Sequence, residues 1–192
     1  VHHAEHIAAP ETREAFAYLV GSAALSRELS CHAQMKGAVR DFRLHDASGS
    51  QLFSLIVNRD SLLFYFRPPA VRSGRFSLRD LERSFEEVRE NNSGEWTVRI
   101  TNLESARRLW AYIVAMSEFL SGDGDTTQIG YVNSNNQRCQ GHRGYPGNDH
   151  LQKAYRMECL NEDCGNTYGA NGSDVFQRKC PRCQGGAPGI EF

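Results

Sequence analysis

Residues 39–69 read VRDFRLHDASGSQLFSLIVNRDSLLFYFRPP, and this stretch decides the fold. Three runs rich in aromatic and aliphatic residues, 39–44, 52–58 and 62–67, are separated by the turn clusters Asp46-Ala47-Ser48-Gly49 and Asn58-Arg59-Asp60. Runs of this length bounded by Asp, Asn, Ser and Gly predict strands, and such short connections join only antiparallel neighbours. Pro68-Pro69, which has no backbone N–H to give a ladder, ends the third strand.

Upstream, Pro10 suits the first turn of a helix, Glu11 and Glu14 complement its positive end, and Phe16, Leu19, Val20, Ala23 and Leu25 form an apolar stripe. Gly37 marks the passage from that helix to the sheet. Downstream, Ser77 caps a short helix with Leu78, Leu81, Phe85 and Val88 on one face. After the turn Asn91-Asn92-Ser93-Gly94, the alternation of Trp96, Val98 and Ile100 with Thr97 and Arg99 predicts a half-buried strand. Asn102 then caps a last helix whose Ala106, Leu109, Trp110, Ile113, Val114 and Leu120 make a broad apolar stripe up to Gly122. The order α-βββ-α-β-α predicts an α+β domain over residues 10–122, an antiparallel β-meander sheet covered by helices on one side. Residues 1–9 (VHHAEHIAA) lack periodicity and predict a flexible arm. His2, His3 and His6 in it are the types that ligate metals, but a solvated tail is the simpler expectation. Gly122-Asp123-Gly124-Asp125 reads as a linker to a second domain, 123–192.

Composition excludes several classes. The 192 residues carry 22 Lys and Arg against 23 Asp and Glu, a formal net charge of −1, which gives no global positive field for coating nucleic acid. No run approaches the roughly 18 apolar residues of a membrane span, and no apolar block opens the chain as an export signal does. The expectation is a cytoplasmic protein with no membrane partner.

Four of six cysteines crowd the tail as Cys159-x4-Cys164 and Cys180-x2-Cys183. Two close pairs separated by a loop of this length are what a tetrahedral metal site needs, and Gly165 and Pro181 suit the tight turns that present the thiolates. Segments 155–158 and 176–179 read as short strands leading into those turns. The alternative is two disulfides, but reduced thiols at this spacing bind metal, and Zn2+ held by Cys159, Cys164, Cys180 and Cys183 is the expectation. Such a site is closed, with no position left for water or substrate, so its role is to fold a segment too polar to have a core. Cys31 and Cys139 stand alone and read as small buried hydrophobes or spare thiols.

Segment 129–155 (IGYVNSNNQRCQGHRGYPGNDHLQKAY) is rich in amides and glycine. Amide side chains suit base edges, cations suit phosphates and aromatic faces suit stacked bases. Tyr131, Asn133, Asn136, Gln137, Arg138, Arg143, Lys153, Arg156, Asn171, Arg178, Lys179 and Arg182 are thus the candidate nucleic-acid contacts. A solvated irregular loop would have the same composition. Residues 123–192 hold seven Lys and Arg against eight Asp and Glu, so binding by counterion release alone is weak and recognition has to be contact-rich. Arg67, Arg72 and Arg75 beside the prolines offer a phosphate-contacting loop, or simply surface charge.

Asp149-His150 is the one catalytic candidate. With Asn171 and the cysteine pairs it resembles the HNH nucleases, in which a zinc-stapled unit presents a general-base His. Here both cysteine pairs follow the Asp-His, and no His follows Asn171. No P-loop, GxSxG or Rossmann fingerprint occurs. The tail YGANGSDVFQRKCPRCQGG, residues 168–186, with its two cysteine pairs, resembles the zinc-ribbon ending of small bacterial proteins linked to restriction or defence. The three meander strands followed by α-β-α are similar to bacterial α+β domains of the MmcQ/YjbR DNA-binding type. The tail resemblance implies a bacterial cytosolic setting. The closed metal site, the clustered Asn, Gln, Arg and Tyr set and the incomplete catalytic constellation make a zinc-ribbon, nucleic-acid-binding protein, a reader of specific or modified DNA, the leading expectation. A metal-dependent nuclease and a protein–protein adaptor are the alternatives.

Overall fold

The computed structural model describes residues 2–26, 28–36 and 39–192, with the side chains of His2, Met35 and Lys36 outside that description. Val1 of the expected arm and the expected helix-to-sheet Gly37 lie outside it too. The chain forms two compact units, Val1–Arg72 with Ser77–Val114, and Ser73–Phe76 with Ala115–Phe192. The boundary therefore falls at Ala115 rather than at the Gly-Asp linker, and residues 73–76 join the second unit.

Unit 1 is α+β, as the meander predicts. Its antiparallel sheet has the order β1-β2-β3-β4-β6-β5, from strands Ser30–Lys36, Val39–His45, Gln51–Val57, Leu62–Phe66, Val88–Glu90 (β5) and Trp96–Ile100 (β6). Pairing sets Phe42 opposite Leu55, Leu55 opposite Phe64 and Phe64 opposite Val98, a row of apolar side chains crossing four strands. Successive residues point to opposite faces, so this row and its neighbours Leu44, Phe53, Phe66, Trp96 and Ile100 form one buried face. Helix α2 (Pro10–Leu25) lays Phe16 edge-on against Phe42, ring centres 5.9 Å apart. Its Thr12 hydroxyl reaches the carbonyls of Asp60 and Thr101. Helices α3 (Pro68–Arg72), α4 (Leu78–Ser84) and α5 (Leu103–Ser117) complete the order.

Several expectations fail here. The supposed arm is a helix, α1 (His2–His6), followed by a fully buried Ile7. His3 is buried with its Nε2 at the carbonyls of Gln34 and Asp41 and its ring stacked on Phe16, so it is a core residue and no tail ligand. Strand β1, too polar to be read as one, forms because seven of its residues find partners along β2. Helix α4 stops at Ser84, and Val88 belongs to β5 opposite Val98. Of the expected stripe residues, Leu25 at the end of α2, Val114 within α5 and Leu120 beyond its end at Ser117 are exposed. Among the described residues no helix is long and apolar enough to cross a membrane.

Unit 2 holds a three-stranded antiparallel sheet, β7 (Gln137–Pro146), β8 (Lys153–Cys159) and β9 (Thr167–Asn171), preceded by a 3-10 turn at Asp125–Thr127. The segment expected to lack a core has one, built from Cys139, Tyr155, Met157, Tyr168, Ala170 and Val175 together with Cys159, Cys164 and Cys180. The supposed loop 169–174 opens with the end of β9, while 176–179, expected as a strand, is turn and irregular chain.

Candidate metal centre

Cys159 ends β8, and Cys164 follows in a turn closed by its N–H on the Asn161 carbonyl. Gly165, at φ +51, turns the chain back toward β9 in a conformation that side chains resist. Cys180 and Cys183 lie on the second turn, where the Cys180 carbonyl accepts the N–H groups of Gln184 and Gly186. A Cβ on Gly186 would sit 2.0 Å from the Lys179 carbonyl oxygen, so only glycine lets this turn close so tightly.

These turns bring four sulfurs within 4.8 Å of one another. Cys159 and Cys183 are 3.6 Å apart at sulfur, Cys164 and Cys180 3.7 Å. A disulfide spans about 2.05 Å, and all four cysteines are free thiols. Sulfurs about 2.3 Å from a central tetrahedral ion stand roughly 3.8 Å apart, close to the spacing of these two pairs. Sulfur also receives N–H groups: Arg182 backbone on Cys180, Gln137 Nε2 on Cys159, Asn161 Nδ2 on Cys183 and Asn166 Nδ2 on Cys180.

The thiol electrostatics call for a cation. Burial works against a Cys180 thiolate, but the backbone N–H groups of Cys183 and Arg182 outweigh it and bring this thiol down to about 7. Loss of solvent, and then the neighbouring Cys164 and Cys159 sulfurs, push Cys183 up to about 12. An ion at the centre would favour the thiolate form of each sulfur that it touches. The donor set fits a metal ion, and its four protein ligands leave no open position.

The other site candidates divide sharply. Asn133, 4% exposed, donates to the carbonyls of Val175 and Arg178 and accepts the N–H groups of Asn135 and Gln137, which uses its full hydrogen-bonding capacity inside the unit. Gln137 is fully buried. Asn171 is buried with its amide on Asp149. Arg138 pairs with Glu158 and the Phe76 carbonyl. Arg178 reaches the carbonyls of Ala187 and Pro188 and lies over the Tyr168 ring. These five are internal braces rather than base or phosphate contacts, because the chain's own carbonyls and acids reach them first. Tyr131 packs against the core, and Asn136 is exposed with its amide on Asn161. Arg143 and Arg156 lie against the ring of buried Phe119. Lys153, Lys179 and Arg182 are exposed. Of the arginines beside the prolines, Arg67 pairs with Glu95 and Arg75 with the Phe119 carbonyl, while Arg72 is exposed.

His150 touches Asp149 but its side chain is 76% exposed. Among the described residues the four cysteines alone gather as a group of metal-ligating side chains, so Asp149 and His150 are not joined by further ligands. Cys139 is buried, and burial pushes its thiol up to about 11, in keeping with a small core hydrophobe. Gln184 was missing from the sequence reading; its Oε1 accepts the Cys180 N–H at 2.9 Å. Its place directly after the second cysteine pair was the available signal. Phe176, 50% exposed, was also missed, since a strand reading gave it no special position.

Compared with known proteins, the chain matches no family profile, no curated protein and no solved structure.

Proposed function

We propose that the chain binds DNA through unit 2, which a structural zinc ion at Cys159, Cys164, Cys180 and Cys183 holds in shape. The observation that carries this reading is the cluster itself: four thiols within 4.8 Å of one another, enough to close a site against substrate, which suits a scaffold and not a hydrolytic centre. Around it the cations take two roles. Arg138 and Arg178 brace the interior, while Lys179 and Arg182 flank the second cysteine turn in the open, with exposed Phe176 three residues before Lys179. An exposed aromatic followed within six residues by two exposed cations suits stacking on a base with phosphate contacts nearby. The proposed target is specific or modified DNA, because a segment with seven Lys and Arg against eight Asp and Glu needs contact-rich recognition.

Fluorescence anisotropy with duplex and single-stranded oligonucleotides, with and without base modification, tests this reading. Lys179→Ala and Arg182→Ala are each expected to weaken binding and to lower the salt slope by about one. Binding no tighter than about 10⁻⁴ M at moderate salt overturns it. Elemental analysis of the purified protein is expected to return one zinc per chain.

A second reading, a protein adaptor, is favoured by the β7–β8 hairpin, where Leu151 is 86% and Tyr145 54% exposed. Under that reading Leu151→Ser abolishes capture of a protein partner and no DNA binding is measured.

A further inference from the structure

The buried amides around the cysteine cluster form one connected path. Tyr168 on β9 donates its hydroxyl to Gln137 Oε1 at 3.1 Å. Gln137, at the start of β7 and without solvent exposure, shares the two N–H groups of its Nε2 among the Asn135 carbonyl at 2.5 Å, Gln184 Oε1 at 3.0 Å and Cys159 Sγ at 3.5 Å. Gln184 Oε1 also takes the Cys180 N–H, and its Nε2 donates to the Asn135 carbonyl at 2.9 Å. One amide pair therefore touches both cysteine turns. The path continues outward: Asn133 Oδ1 holds the Gln137 N–H, and its Nδ2 holds the carbonyls of Val175 and Arg178. Asn135 Nδ2 holds that of Gln177. Between those carbonyls stands Phe176, with Lys179 next along the chain.

We propose that Gln137, Gln184 and Asn133 are positioning residues that couple metal retention at the four-cysteine centre to the placement of residues 175–179. The inference rests on the zinc reading and not on DNA binding. Hydrogen bonds beyond the ligands fix the direction of each sulfur, and their loss typically costs 10–100-fold in metal affinity. Coupling is reciprocal, so a change at Asn133, which touches no sulfur, has to be felt at the metal.

The test uses the zinc-loaded full chain and two measurements, zinc release to a chromophoric chelator and the absorption spectrum of the cobalt-substituted protein. Gln137→Glu, which keeps shape but presents an oxygen to Cys159 Sγ, is expected to release zinc at least tenfold faster and to shift the cobalt–thiolate bands. Asn133→Ala is expected to speed release while leaving the bands in place, and to raise amide exchange at residues 175–178. Combining the two is expected to cost less than the product of the single effects. Gln152→Ala, an exposed position on the β7–β8 hairpin outside the path, is expected to change release less than threefold. Gln184→Ala, at a half-buried position, serves if a buried variant fails to fold. Folded variants of Gln137, Asn133 and Gln184 that all keep wild-type release rates overturn the coupling. A wild-type chain that binds neither zinc nor cobalt overturns the metal reading itself.

Discussion

Arg138 on β7 and Glu158 on β8 stand opposite each other in the sheet register and form an ion pair whose carboxylate side chain is only 3% exposed. Gln140 Nε2 donates to the same oxygen at 2.9 Å. A buried carboxylate so surrounded is tolerated only while its partners remain. Arg138→Met is expected to destabilise unit 2 by about 3–5 kcal/mol, because the buried charge of Glu158 loses the Arg138 cation. Adding Glu158→Gln should recover a large part of that loss. Urea unfolding followed by near-ultraviolet circular dichroism measures both steps, and a double variant no more stable than the single one contradicts the argument.

Metal removal should act on one unit alone. Both tryptophans, Trp96 and Trp110, belong to unit 1, whereas Tyr155 and Tyr168 lie in the core that the cysteines share. A strong chelator is expected to abolish the near-ultraviolet tyrosine signal of unit 2 and leave tryptophan emission where it was. Cys180→Ser should reproduce this result without chelator.

A third expectation concerns acid. Burial, then the charge of Lys153, lowers the His142 imidazole below its ordinary 6.5. Its Nδ1 accepts the Gly144 N–H at 2.8 Å, a role open only to a ring nitrogen without a proton. The unfolded chain therefore binds more protons than the folded one below pH 6.5, and stability rises with pH there. The contribution of His142 is complete above 6.5 and is lost as the pH falls through the lowered folded value. His142→Asn keeps an acceptor but cannot titrate. Its unfolding midpoint should fall less than that of the wild type between pH 7.5 and 5.5.

In unit 1 the weight rests on Phe64, fully buried, with its ring centre 5.5 Å from those of Phe53 and Phe66. Phe64→Ala is expected to cost about 3–5 kcal/mol through lost burial and the cavity left behind. Tryptophan-detected unfolding reads this, and zinc content should stay unchanged.

What could be read in advance followed from local chemistry. The meander was legible because Asp46–Gly49 and Asn58–Asp60 interrupt residues that alternate or run apolar, and the metal cluster because its spacing is a geometric requirement of four ligands on one ion. Strand β1, SCHAQMK, was illegible because nothing in its own side chains favours a strand; its partner β2 imposes one. The same holds for Asn133. An amide is equally fit for a base edge or for two carbonyls, and the carbonyls it meets are 42 and 45 residues further along. Composition gave the residue types, while only the fold decided whether they face inward or outward.

The order of strands in unit 1 leaves β1 and β5 as its two outermost members. Rows of unpaired amide and carbonyl groups invite further chains to add on, the route by which sheets stack into fibrils. Here β5 is three residues long and ends on Arg89 and Glu90, too brief and too charged to template growth. On β1, Ser30, His32 and Gln34 share one face, and an incoming strand would have to strip water from each of them. The polarity that hid β1 from recognition as a strand thus also makes its edge a poor template for a further strand.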